Sequence, residues 1–122
     1  MNAAIFGKTY GSLADQVADL TELNPRMILA QIAHESAWGT SYGARVRNNL
    51  TGISWGSPTL PSWSKAAGLD PRPKNEGGYY MKYNSTADFI SDYAHVLNLD
   101  RYDAARETDD PADQIRAIAK GG

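Results

Sequence analysis

Apolar residues recur at helical spacing in four stretches of this chain. Leu13, Val17 and Leu20 follow one another three to four residues apart. Ser12, with Asp15 three residues on, forms a capping signature ahead of them. A first helix is therefore predicted to open at Ser12, with Asp15, Asp19 and Glu22 turned away from the core. Asn24-Pro25 starts a second helix, because Asn caps and Pro is pre-organised for the first helical position. It is predicted to run to about Ala37 and to stop near Gly39. Its inner face carries Ile28, Ile32 and Glu35, at i, i+4 and i+7. Ser85-Thr86-Ala87-Asp88 caps a third helix with Phe89, Ile90, Tyr93, Val96 and Leu97 on its apolar face. Asp110-Pro111 opens a last one carrying Ile115, Ile118 and Ala119, closed by Gly121-Gly122.

Between the second and third helices the period disappears. Ser54 to Tyr80 holds four of the six prolines together with Gly56, Gly68, Gly77 and Gly78. This stretch reads as a loop-rich lobe, about 54–83, with at most a short hairpin, and Tyr79–Tyr83 is its best strand. Loops this long in a compact domain are usually functional. The chain of 122 residues reads as one domain, 1–122, of the α+β class but mostly α: helices around one core with an irregular lobe inserted.

Composition removes several function classes. The net charge of −2 offers no electrostatic footprint for nucleic acid. There are no cysteines, and His34-Glu35 is not followed by a second His at zinc-protease spacing, so neither a metal nor another cofactor is expected. Met1–Lys8 lacks the basic and apolar regions of a signal peptide, and no stretch approaches the roughly 20 apolar residues of a membrane span. Neither the general secretory route nor membrane insertion is expected. The acidic stretch Asp100–Asp113 lacks the calcium-loop register and reads as a solvated face.

A carboxylate on the apolar face of a helix is the anomaly of this sequence. Glu35 falls in the last turn, where the helix dipole disfavours negative charge, and Ile28, Ile32 and Trp38 predict partial desolvation. Such a setting suits a carboxylic acid that gives its proton to a glycosidic leaving oxygen. The plainer reading makes Glu35 a rim residue paired with Arg45 or Arg47.

Leu29-Ala30-Gln31-Ile32-Ala33-His34-Glu35-Ser36-Ala37-Trp38-Gly39-Thr40-Ser41 resembles the catalytic helix of the bacterial glucosaminidase family, glycoside hydrolase family 73, whose pattern is approximately Leu-Ala-Gln-x-x-x-Glu-Ser-Gly-Trp-Gly-x-Ser. Asn48-Asn49-Leu50-Thr51-Gly52-Ile53 resembles the family's following segment, Asn-Asn-Leu-Phe-Gly-Ile. Tyr83, Ser85, Phe89, Asp92 and Tyr93 resemble its Tyr-x-Ser and amphipathic helix, and Arg101-Tyr102 its Arg-Tyr pair. The resemblance implies a lysozyme-like fold and cleavage of β-1,4 bonds after N-acetylglucosamine in peptidoglycan, with Glu35 as the essential acid. Thr51 replaces the usual Phe, Ser54 stands where Lys is common, and the middle lobe does not align with the family's hairpin. Lytic transglycosylase or muramidase chemistry is the near alternative. A non-catalytic wall-binding or tail module is the distant one.

Glycoside hydrolysis normally uses a second carboxylate. In the lobe only Asp70 and Glu76 are available. Glu76, in Lys74-Asn75-Glu76-Gly77-Gly78, is the favoured candidate, whereas Asp70 before Pro71 reads more as a turn residue. Both also fit solvated loop charges, and the substrate's own 2-acetamido group is a third option. By resemblance Tyr102 faces the cleft as a substrate-binding residue, with Tyr83 beside it in that role. Trp55 and Trp63 offer indole faces for sugar stacking or for a small core of the lobe. Asn49 either meets sugar or braces the turn after Glu35. The expected partner is the peptidoglycan strand. Since that polymer lies outside the cytoplasm, action in the periplasm or cell wall implies delivery by a secretion system, by lysis or by a phage particle. An antibacterial effector would need an immunity protein that occludes the cleft.

Overall fold

In the computed structural model, which describes residues 2–122, Asn2 caps the first helix. Its side chain accepts a hydrogen bond from the Ile5 amide at 2.9 Å, and α1 (Ala3–Thr21) runs from there. The helix thus begins nine residues before the predicted start at Ser12. Gly7 and Gly11 weaken its first turns by about 1 kcal/mol each, but Phe6, just before Gly7, is buried against Tyr10 and Trp38, which offsets that cost. Leu20, predicted to face inward, is exposed near the frayed end of α1.

The second helix, α2 (Pro25–Glu35), starts as the sequence predicts: the Asn24 side chain accepts from Arg26 N at 2.9 Å. It ends at Glu35, two residues before the predicted limit. A five-residue helix, α3 (Tyr42–Val46), follows, capped by Ser41. The lobe contains a small antiparallel sheet of three strands, β1 (Ser54–Trp55), β2 (Gly68–Pro71) and β3 (Tyr79–Lys82), in the order β1-β3-β2. In its register Trp55 stands opposite Tyr79, and Leu69 opposite Met81. The sequence offered at most a hairpin here, because segments of two and four residues are too short to show a two-residue alternation. Helix α4 (Thr86–Leu97) is capped by Ser85, which accepts from Asp88 N at 3.1 Å. A 3-10 segment (Asp100–Glu107) fills the stretch read as a solvated acidic face, and it buries Tyr102 and Ala105. Helix α5 (Pro111–Gly121) closes the chain, capped by Asp110.

The helices enclose one core, in which Phe6, Val17, Met27, Ile28, Ile32, Phe89 and Leu97 are almost fully buried. Helix α1 packs on α2 and α4, and α5 packs on α2 and the 3-10 segment. Gly121 makes that last contact possible. A Cβ there would fall 2.4 Å from the Arg101 carbonyl oxygen and 2.8 Å from Tyr102 Cδ1.

Two polar groups tie the lobe to the helices. Asp92, on α4 and completely buried, accepts from Ser64 Oγ at 2.6 Å, Lys65 N at 2.8 Å and Tyr83 Oη at 2.9 Å. Burial, reinforced by the Asp92 charge, pushes the Tyr83 hydroxyl above its ordinary range, so it stays a donor. Asn49 donates to the carbonyls of Ile53 (3.0 Å) and Met81 (2.8 Å) and accepts from Ile53 N (2.9 Å). Replacing Asp92 by Asn, which offers one acceptor oxygen to three donors, is expected to destabilise the fold by about 2 kcal/mol. The midpoint of denaturant unfolding measures it, and an unchanged midpoint would remove Asp92 from this role.

Candidate active site

The last turn of α2 places Glu35 above Ile28 and Ile32, both fully buried, and the chain then reverses sharply. Ser36 makes the reversal. Its buried hydroxyl donates to Ile32 O at 2.6 Å and accepts from Gly39 N at 2.8 Å. Three successive residues, Ala37, Trp38 and Gly39, take left-handed conformations with φ of 50°, 58° and 82°. Trp38 N closes the turn on Ala33 O at 2.8 Å, and the Trp38 ring meets Phe6 edge-on at 5.2 Å.

Beside Glu35 opens a cleft of about 760 Å³, within the roughly 300–1,000 Å³ of small-ligand sites. Gln31 and Glu35 of α2 form one wall, and the turn from Thr51 to Trp55 forms another with Trp63. Tyr93 of α4 and Tyr102 line the interior, and Ile115 and Ile118 of α5 the far end. Glu35 is exposed at the mouth of this cleft, in contrast to the partial desolvation predicted from its neighbours. The apolar residues on its face lie beneath it in the core, so they support the carboxylate without covering it. It makes no ion pair among the described residues. Arg47 pairs with Asp70, and Arg45 donates to Thr40 O, so neither engages Glu35 as the plainer reading proposed.

One turn before Glu35, Gln31 accepts a hydrogen bond from the Tyr93 hydroxyl. Burial, and to a lesser degree the nearby Glu35 charge, push that hydroxyl well above its usual range. Tyr93 is therefore a fixed donor that holds the Gln31 amide oxygen. The Gln31 amide nitrogen keeps no hydrogen-bond partner among the described residues, on a side chain that lines the cleft. Thr51 Oγ1, at another wall, is buried and also has no partner. Sequence reasoning overlooked Gln31 and Tyr93 as site residues. The signal was present in the four-residue spacing of Gln31 and Glu35, which sets both on one helix face.

Of the residues singled out from the sequence, Glu35, Trp55 and Tyr102 line the cleft. Trp63 lines it too. Its ring stacks on His95 of α4 at 4.0 Å and meets Trp55 edge-on at 6.0 Å, so the indoles form both a cleft wall and a small cluster within the lobe. Asn49 and Tyr83 do not line it, since their polar atoms are fully used in the brace described above. Neither candidate for the second carboxylate reaches it. Asp70, on β2, pairs with Arg47 (2.9 Å) and Lys82 (3.2 Å). The Arg47 hydrogen bond, with help from Lys82, holds its carboxyl below the usual carboxylate range. Glu76 is exposed in the β2–β3 connection, 3.6 Å from Arg72. Glu35 is thus the only carboxylate side chain that lines the cleft among the described residues. No group of three or more His, Cys, Asp or Glu side chains among those residues is placed to hold a metal ion.

Residues 11–122 match the glucosaminidase family model, described as mannosyl-glycoprotein endo-beta-N-acetylglucosaminidase. No curated protein matches the chain. Among solved structures, one that resembles it is a chain of a type VI secretion system effector–immunity complex from Pseudomonas protegens. Its TM-score is 0.73 at 22% identity, over 97% of this chain and 74% of that one. A peptidoglycan hydrolase mutant from Sphingomonas sp. A1 is similar at TM-score 0.73 and 24% identity, over 98% and 83%. The catalytic domain of the autolysin Auto from Listeria monocytogenes is similar at 0.60 and 26%, over 97% and 75%. These likenesses establish the lysozyme-like fold of the chain.

The left-handed turn makes a stability prediction. A non-glycine residue pays about 1–2 kcal/mol in that conformation, whereas glycine loses about 0.5–1 kcal/mol more backbone freedom on folding. Ala37→Gly should therefore stabilise the protein by up to about 1 kcal/mol, read as a higher thermal midpoint; a lower midpoint would contradict the assigned strain.

Proposed function

The chain belongs to the glucosaminidase family of glycoside hydrolases, and on that premise we propose that it hydrolyses peptidoglycan at the β-1,4 bond between N-acetylglucosamine and N-acetylmuramic acid, with Glu35 as the general acid. The observation that carries this reading is the position of Glu35: the one cleft-lining carboxylate side chain among the described residues, fixed by a helix end and a tight turn. Trp55 and Trp63 supply flat faces for sugar rings, and Tyr102, with Gln31, the polar contacts. Exposure of Glu35 in the free protein fits a site in which the sugar strand itself excludes water from the acid.

With Asp70 and Glu76 both outside the cleft, the 2-acetamido group of the N-acetylglucosamine unit is the nucleophile in this proposal. Glu35 gives its proton to the glycosidic oxygen as the C1–O bond breaks. The acetamido carbonyl oxygen bonds to C1, forming an oxazolinium ring. The Glu35 carboxylate then takes a proton from the water that attacks C1 and opens the ring. Glu35 is restored, and the product keeps its anomeric configuration.

The reading extends to biology. One structurally similar chain comes from an effector–immunity complex, and no helix among the described residues is long and apolar enough to cross a membrane. An effector delivered to the periplasm or cell wall, with an immunity protein that occludes the cleft, accords with both observations.

Glu35→Gln is expected to lower the rate of peptidoglycan hydrolysis by about 100- to 10,000-fold, with wall binding retained. A wild-type rate in that variant would instead indicate a wall-binding or tail module. Mass spectrometry of the fragments should find reducing N-acetylglucosamine ends; anhydromuramic ends would identify a lytic transglycosylase, and reducing muramic ends a muramidase. Glu76→Gln should keep the wild-type rate, and a thiazoline mimic of the oxazolinium ring should inhibit. Loss of activity in Glu76→Gln would assign the second role to that residue and refute acetamido participation.

A further inference from the structure

A second groove, of about 400 Å³, adjoins the far end of the cleft, between the 3-10 segment and the outer side of α5. Its charged residues are Arg101, Arg116, Lys120 and Asp113. Asp113 is engaged by Arg116 three residues on. Arg101 and Lys120 have no ion-pair partner among the described residues. In a chain with a net charge of −2, this is a local concentration of positive charge. The C-terminal dipole of α5 accounts for Lys120 in its last turn, but not for Arg101, which comes from a different element. Arg101 lines both the groove and the cleft, and its guanidinium packs 5.0 Å from the centre of the Tyr102 ring, inside the site. Arg101 is the one residue that the groove and the cleft share, so its side chain stands on the rim between them, where a branch of the strand would cross from one to the other.

We infer that this groove binds the carboxylates of the peptide stem that peptidoglycan carries on the lactyl group of its muramic acid units. The inference rests on the peptidoglycan reading above and deepens it. A strand placed with its scissile oxygen at Glu35 has a muramic unit on one side of the broken bond. Its stem is anionic and branches out of the plane of the sugars. Arg101 meets that branch at the cleft, and Lys120 lies further along its path. Fixed cations at such a rim act on affinity and on association rate more than on the chemical step.

The test compares two polymers: soluble glycan strands with their peptide stems, and the same strands after an amidase has removed them, which leaves a single lactyl carboxylate per repeat. Lys120→Gln, which alters the groove alone, is expected to raise KM on stem-bearing strands roughly two- to threefold, as expected for one exposed ion pair, with kcat unchanged and little effect on bare strands. Added salt should raise the wild-type KM on stem-bearing strands and raise that of Lys120→Gln less. Lys120→Glu, an exposed reversal, provides a second variant with a larger effect in the same direction. An equal change on both polymers, or none on stem-bearing strands, would overturn the groove assignment while leaving the hydrolase reading intact. A wild-type protein that cleaves neither polymer would overturn both.

Discussion

The carboxylate of Asp92 holds the two halves of this protein together. Three donors from the lobe converge on it: the hydroxyls of Ser64 and Tyr83 and the amide of Lys65. A buried charge is tolerated only when its acceptor sites are filled, so the lobe has one place to dock on α4. The sheet itself is too small to impose an arrangement, since β1 contributes two residues and β2 and β3 four each. Asn49 adds the second fixed point by stitching the segment after α3 to β3. With both in place Trp55 and Trp63 stand across from α2, and the space between is the cleft.

In the proposed reaction Glu35 is an acid that a helix end positions without burying it. The core holds the helix from below through Ile28 and Ile32, and the Ser36 turn removes the chain from in front of the carboxylate. What the free protein supplies is position and a nearby polar pair, Gln31 with Tyr93. On the proposed reading, the low-dielectric surroundings that a proton donor needs come with the bound sugar, and the resting site stays open.

The sequence revealed what depends on neighbours along the chain. The caps at Asn24, Ser85 and Asp110 are each a matter of three or four residues, and the helices begin there. The start of α1 was hidden because Gly7 and Gly11 mask a helix whose support, Phe6 against Trp38, spans more than thirty residues. The 3-10 segment was hidden too, since its polar composition obscured Tyr102 and Ala105. For the site, Glu35 was legible as a carboxylate out of place. The locations of Asp70 and Glu76 were not, because their Arg partners decide whether they face the cleft. Asp92 read as one more matching position in a helix, and only the assembled lobe shows its three donors.

Gly121 sets a dimension that no side chain sets. With nothing but hydrogen on its α-carbon, α5 rests directly on the backbone at Arg101, where even a methyl group would overlap the carbonyl oxygen. Ile115 and Ile118, which line the far end of the cleft, ride on that same helix. The width of that end of the cleft is thus fixed by a missing atom. Any side chain at position 121 would have to prise the end of the helix away from Arg101 and Tyr102, like a shim, and carry the isoleucines outward with it.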